Sequence, residues 1–157
     1  LHLPAGPAYG DGMSSVEKEE GPVLDLDFDK LRKVAAGGEA LLPVVVQDSR
    51  NGEVLILAYA NREALEHALR TGKATFWSSS RGELWVKGET SGDWLQLDEV
   101  RVNCEQNSLL YRVTPQGKGS CHTKDADGRS RSACYYRRIV PGSGDRLEFV
   151  EPARVSP

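Results

Sequence analysis

A chain of 157 residues, 39% hydrophobic and 27% charged, suits one domain with a sizeable core. Its formal charge of −3 argues against bulk attraction to nucleic acid, so an anionic ligand needs a local basic cluster. No apolar run reaches bilayer-spanning length and no signal-peptide core is present. Neither membrane insertion nor export is therefore expected, and widely spaced cysteines then point to the reducing cytoplasm.

Residues 1–22 are rich in Gly, Pro, Ser and Glu, lack an apolar period, and read as a disordered leader. The first residue is Leu, and Met13 opens a more ordinary start. Residues 1–12, His2 among them, read as an expression scar or upstream translation and take no part in the fold. The domain proper is expected over 23–140. Asp27 is placed to cap a short helix through Phe28, Leu31, Arg32 and Val34, ended by Gly37-Gly38. Leu41–Gln47 reads as a strand, Asn51-Gly52 as a hairpin turn, and Glu53–Ala60 as a returning strand apolar enough for burial on both faces. Asn61 caps a second helix whose apolar face is Ala64, Leu65, Ala68 and Leu69 and whose stop is Gly72. His67 falls on the other face and reads as solvated.

From Lys73 the pattern turns to strands. KATFWSSS and ELWVKG form a hairpin about Arg81-Gly82, followed by the loop GETSGD. WLQLDEVRVNCE and NSLLYRVTP are two more strands joined near Gln106. A long loop runs from Gln116 to about Arg131, CYYRRIV is a last strand, and 141–157 is a loose tail. Two short helices among many strands predict an α+β fold with a mostly antiparallel, curved sheet.

All three cysteines, Cys104, Cys121 and Cys134, lie between Val102 and Arg138, with His122 directly after Cys121. Thiolates and neutral imidazole are the usual zinc ligands. Three ligands without a fourth describe a catalytic site that keeps one position for water. The gaps of 16 and 12 residues match no standard finger, however, and free cysteines are often small core residues. From the residues alone both readings stand.

The segments LPVVVQD, GEVLILAYAN, TGKATFWSSSRGELWVKGETSGD and NCEQNSLLYRV, followed by CHT and CYYR, resemble phosphoribosyl-AMP cyclohydrolase, an enzyme family of histidine biosynthesis. The likeness runs from about Leu42 to Arg138, and LWVKGETSG together with CHT carries its specificity. It implies an intertwined α+β homodimer that opens the adenine ring of a phosphoribosyl nucleotide, 1-(5-phosphoribosyl)-AMP. It also implies zinc held across the subunit interface by Cys104 of one subunit and Cys121 and Cys134 of the other. The family occurs fused to a pyrophosphohydrolase domain, for which the stretch after Arg138 is too short, so a monofunctional chain is expected. A zinc hydrolase of another purine nucleotide and a non-catalytic, zinc-stabilised dimer are the competing functions.

Zinc would lower the pKa of water to about 7. His122 is the candidate acid/base, set against a plain loop-fixing role. Substrate phosphates and base are assigned to Arg81, Lys87, Glu89, Thr90 and Ser91, with Ser78 and Ser80 offering hydroxyls and Gly88 and Gly92 allowing close backbone approach. Trp85 is read as a core residue that could also stack on a base. Arg129, Arg131, Arg137 and Arg138 are expected to add positive surface.

The family's first cysteine usually sits in D-C-D-x-D, read as a magnesium site. Here those aspartate positions are Asn103, Glu105 and Asn107, so magnesium is expected to bind weakly. In a regular strand these three would share one face and Cys104 would take the other. The Cys121–Cys134 interval is also longer than in compact members. Its segment KDADGRSRSA reads as a surface hairpin, unless Asp125 and Asp127 restore the lost carboxylates.

Overall fold

The β-branched run Val44–Val46 folds into a strand, as its side chains dictate. The computed structural model describes residues 13–150. Its elements run α1 (Ser15–Glu20), α2 (Lys30–Ala36), β1 (Leu42–Asp48), β2 (Val54–Ala60), α3 (Arg62–Thr71), β3 (Thr75–Ser78), β4 (Glu83–Val86), β5 (Leu95–Val102), β6 (Leu109–Pro115), β7 (Arg137–Ile139) and β8 (Leu147–Phe149). β1 and β2 are a hairpin turned at Gly52, whose φ is +77°, and Asn51 Oδ1 accepts the Glu53 N–H at 2.9 Å.

The second hairpin, β5–β6, docks so that β6 runs parallel to β1, with Val44 opposite Leu109 and Val46 opposite Tyr111. The central sheet has the order β2-β1-β6-β5. The fold is α+β as expected, but this sheet is mixed, and among the described residues three helices rather than two accompany it. The parallel seam joins the two hairpins. It puts the inward residues of both inner strands, Val44 and Val46 with Leu109, Tyr111 and Val113, into one core. β2 is left at the edge, so Val54 and Leu57 face outward and the strand is not buried on both faces.

Asn61 caps α3 as its sequence requires: Oδ1 accepts the Ala64 N–H at 2.8 Å, and Nδ2 donates to Glu39 at 2.8 Å. Gly72, at φ +71°, ends the helix. The buried stripe is narrower than expected. Ala64 and Ala68 are fully buried, Leu65 lies at the rim, and Leu69 is exposed. His67 is half-buried rather than solvated, with Nδ1 2.9 Å from Thr75 Oγ1. That hydroxyl donates to the Lys73 carbonyl, so His67 is the donor in the pair and ties α3 to β3. α2 begins at Lys30 with Asp29, not Asp27, at its cap position, and the Asp27 carboxylate instead accepts from the Asp29 N–H at 3.2 Å and Lys33 Nζ at 2.9 Å. Only Val34 of its apolar residues is buried, with Phe28 and Leu31 exposed.

The ends of the described chain depart most from expectation. Residues 13–22 are not a loose leader: Ser14 and Glu17 form a reciprocal capping box that starts α1. The stretch after Pro141 is not loose either. It turns back as β8 on β7, and Leu24 and Leu147 N–H groups bond Asp145 and Pro22 carbonyls at 2.6 and 2.7 Å. Residues 1–12 and 151–157 lie outside the described residues. No helix among the described residues is long and apolar enough to cross a membrane.

Asp48, at the inner end of β1, is buried and bound bidentately by Arg50 at 2.7 and 3.0 Å. Burial pushes its pKa up, but Arg50's guanidinium and N–H outweigh that and hold it below the usual range. Asp48→Asn is expected to cost about 1–3 kcal/mol at pH 7 in denaturant unfolding. A depressed native pKa gives stability that is present above the unfolded value near 4 and lost as pH falls through the native one. The wild type's advantage over the variant should therefore shrink below about pH 4, and an advantage independent of pH would contradict the ion-pair account.

Candidate active site

The loop between β6 and β7 is pinned by backbone hydrogen bonds. Cys121 N–H donates to Arg131 at 3.1 Å, Arg131 N–H to Thr123 at 3.1 Å, and Cys134 N–H to Leu55 of β2 at 2.8 Å. These bonds fold the loop onto itself and bring Cys121 and Cys134 together. The extra residues between them make the expected surface hairpin, bridged at Lys124 and Ser130 and turned at Gly128, φ +76°. Asp125 Oδ1 accepts the Asp127 and Arg129 N–H groups at 2.9 and 2.8 Å, so its carboxylate stabilises the turn.

Cys121 is buried and Cys134 exposed. The neighbouring Cys134 thiol holds Cys121 well below the usual thiol range, against the effect of burial and with help from Thr123, whose Oγ1 is 3.1 Å from the sulfur. The Cys121 sulfur and burial in turn push Cys134 up. Two neighbouring sulfurs are a ready ligand set for a thiophilic cation.

One wall of a cleft of about 360 Å³ carries Cys134 and His122. The opposite wall is the β3–β4 hairpin and the loop after it. Arg81, Trp85, Lys87, Glu89, Thr90 and Ser91, the residues singled out from sequence, all line this one cleft. Trp85 packs against the core, its ring centroid 5.5 Å from that of Phe76, and also contributes to the lining. Arg81 pairs with Glu83 at 3.3 Å and reaches Ser78 Oγ at 3.3 Å. Lys87 is half-buried, with Nζ 3.4 Å from the Asp93 carbonyl. Burial pushes its ammonium down, opposed by Asp93, Cys134 and Cys121. Gly88, at φ +79°, lets the loop fold so closely on itself that an added Cβ would sit 2.2 Å from the backbone of Asp93 and Trp94.

Cys104 stands apart. It lies exposed in the turn from β5 to β6, beyond Val102 and Leu109, whereas Cys134 bonds to Leu55 towards the other end of β2. Among the described residues of one chain no three His, Cys, Asp or Glu side chains cluster as a metal site. The turn also corrects the strand geometry expected for 103–107. β5 ends at Val102, and Asn103 Oδ1 accepts the N–H groups of Asn107 and Ser108, both at 2.9 Å. Asn103 Nδ2 donates to Asn107 Oδ1 at 2.7 Å, and Asn107 Nδ2 to Glu105 at 3.3 Å. The amide oxygens are committed within the turn and only one carboxylate is present. This donor set does not fit a resident magnesium ion, which wants several carboxylate or water oxygens and charge compensation.

Of the four arginines expected to add positive surface, Arg129 and Arg138 are exposed, whereas Arg131 and Arg137 are tied inward. Arg131 binds Glu20 at 2.6 and 2.9 Å and stacks 4.1 Å from the Tyr136 ring, Arg137 donates to the Gly21 and Lys18 carbonyls, and Arg138 pairs with Glu148. Arg129 lines a larger cavity of about 940 Å³ behind the cysteine segment, away from His122 and the paired thiols. Two residues at the cleft escaped the sequence reading. Ser120 is fully buried, lines the cleft, and its Oγ has no partner. Glu19, from α1, reaches His122 Nε2 at 2.7 Å. The S-x-x-E signature of the capping box was the signal for that helix.

A thiol and an imidazole lining one cleft with a cationic, glycine-bearing loop define a small α+β enzyme for an anionic ligand. The family model described as phosphoribosyl-AMP cyclohydrolase matches residues 56–136. The phosphoribosyl-AMP cyclohydrolase of Hyphomonas neptunium is 43% identical over 130 residues, 83% of this chain and 88% of that protein. That of Brucella anthropi is 45% identical over 136 residues, 86% of each chain. The histidine biosynthesis bifunctional protein of Thermus thermophilus is 51% identical over 112 residues, 71% of this chain but 49% of its own length. The chain belongs to the phosphoribosyl-AMP cyclohydrolase family and is an enzyme of that family, whose place is histidine biosynthesis.

The loop that faces the thiols depends on Gly88 far more than on Gly92, which shares a positive φ but has open space around it. Gly92→Ala should cost about 1–2 kcal/mol. Gly88→Ala should cost about 3 kcal/mol or more and raise KM, because the clash is with backbone. Equal unfolding midpoints for the two variants would contradict this reading of the loop.

Proposed function

We propose that this chain opens the adenine ring of 1-(5-phosphoribosyl)-AMP with a zinc ion held by Cys121 and Cys134 of one subunit and Cys104 of the partner subunit. The observation that carries the proposal is the cleft that gathers the Arg81–Ser91 loop, His122 and Cys134, with the Cys121 thiol beside that of Cys134. Two sulfurs fill half of a tetrahedral site. Cys104 is exposed and at the far end of its own sheet, as a ligand donated to a second copy must be. When bound, zinc supplies water activation near neutral pH by lowering water's pKa to about 7.

The rest of the chemistry falls to the chain's own residues. Net, one water is added. Its oxygen bonds to ring carbon six, the bond from that carbon to ring nitrogen one breaks, and the nitrogen departs carrying a proton. His122 is placed to take a proton from the water and return one to the leaving nitrogen. Lys87 and Arg81 present cations, and Thr90, Ser91 and the backbone around Gly88 present donors, to the substrate's phosphates. Trp85, backed by Phe76, offers a flat apolar wall. Magnesium is assigned no step, and its binding to the free enzyme is proposed to be weak.

Metal analysis and a ring-opening assay by absorbance test the proposal together. The wild type should carry one zinc per subunit. Cys134→Ser should lose zinc and turnover together, whereas His122→Ala should keep zinc and lose at least about a hundredfold in kcat. Full turnover by metal-free protein, or near-full turnover by His122→Ala, would contradict it.

A further inference from the structure

Outside the cleft, the chain commits an unusual number of polar contacts to one short helix. Arg137 donates to the Lys18 and Gly21 carbonyls at 2.6 and 2.8 Å, and the Tyr136 hydroxyl donates to the Glu19 carbonyl at 2.9 Å. Arg131, stacked on Tyr136 and Phe149, grips the Glu20 carboxylate with two hydrogen bonds. The end of α1 is therefore held by residues on both sides of Cys134. A helix whose own residues are all at least partly exposed gains little core from this docking, so its placement has another consequence. The one side chain it extends towards the cleft is Glu19, with Oε1 2.7 Å from His122 Nε2.

We propose that Glu19 is a positioning residue for His122, delivered to the site by the anchored N-terminal helix. A carboxylate only accepts hydrogen bonds, so Nε2 carries the hydrogen in this pair. The neutral imidazole is thereby fixed in one tautomer, with Nδ1 as its acceptor, and its ring plane is fixed with it. Without Glu19 the exposed imidazole can take either tautomer and rotate about its bond to the backbone. The proposal rests on the reading of His122 as the acid/base group.

The test is a double-mutant cycle in the full-length protein, with zinc content and thermal midpoint measured on each variant. Glu19→Ala should lower kcat about tenfold or more, leave KM within about twofold, and leave zinc content and thermal midpoint near wild type. Glu19→Gln, whose amide oxygen can still accept from Nε2, should recover part of the loss. In the His122→Ala background Glu19→Ala should have no further effect. Wild-type kcat for Glu19→Ala beside a crippled His122→Ala would overturn this inference alone. So would losses that multiply in the double variant. Normal turnover by His122→Ala would instead remove the acid/base reading, and the positioning role with it.

Discussion

One hydrogen bond organises the site: Cys134 N–H to the Leu55 carbonyl at 2.8 Å. β2 is an edge strand, and an edge presents unpaired carbonyls that need a partner. This chain meets that need with the loop that carries its thiols. The bond fixes Cys134 against the sheet at the cleft, and the Cys121–Arg131 bond folds the loop back so that Cys121 lies beside it. The sheet is rigid through the parallel seam of β1 and β6, so the loop inherits a defined position. Chemistry-bearing side chains on a loop gain precision in this way from a packed scaffold.

Local signals predicted local structure well. Asn61 and Gly72 bound α3, Asn51-Gly52 turns the first hairpin, and Arg81-Gly82 the second, with Gly82 at φ +64°. These are short-range effects of capping and positive φ. What was hidden is long-range. No residue of β1 signals that its other neighbour will be β6 in parallel, because either orientation buries the same alternate valines. His67 was misread because its partner, Thr75, lies in the next element. The N-terminal helix was overlooked because its residues are polar and exposed, and its docking depends on Arg131, Tyr136 and Arg137 more than a hundred residues away. The site was legible where its residues cluster in sequence, as in Arg81–Ser91. Glu19 could not be tied to His122 without the fold.

The turn at Asn103–Asn107 illustrates how neutral side chains change what a segment can hold. Aspartates at both ends of so tight a turn would repel unless a cation lay between them. Two asparagines need none, since an amide both donates and accepts, and here Asn103 and Asn107 bond to each other at 2.7 Å. The turn that presents Cys104 is thus closed by its own hydrogen bonds. Its cysteine stays exposed on a preorganised loop, which suits a ligand meant for another surface.

The central claim is that the cleft is completed by a second copy of the chain. Its most direct test is to co-express Cys104→Ser and Cys134→Ser subunits with different tags, purify the mixed dimer through both, and measure ring opening. Each variant alone should be inactive. The mixed dimer, with one intact ligand set out of two, should regain about half the wild-type turnover. A mixed dimer of Cys121→Ser with Cys134→Ser, which cannot assemble an intact set, should stay silent. An inactive Cys104/Cys134 mixture, or failure of the two chains to associate at all, would contradict the account.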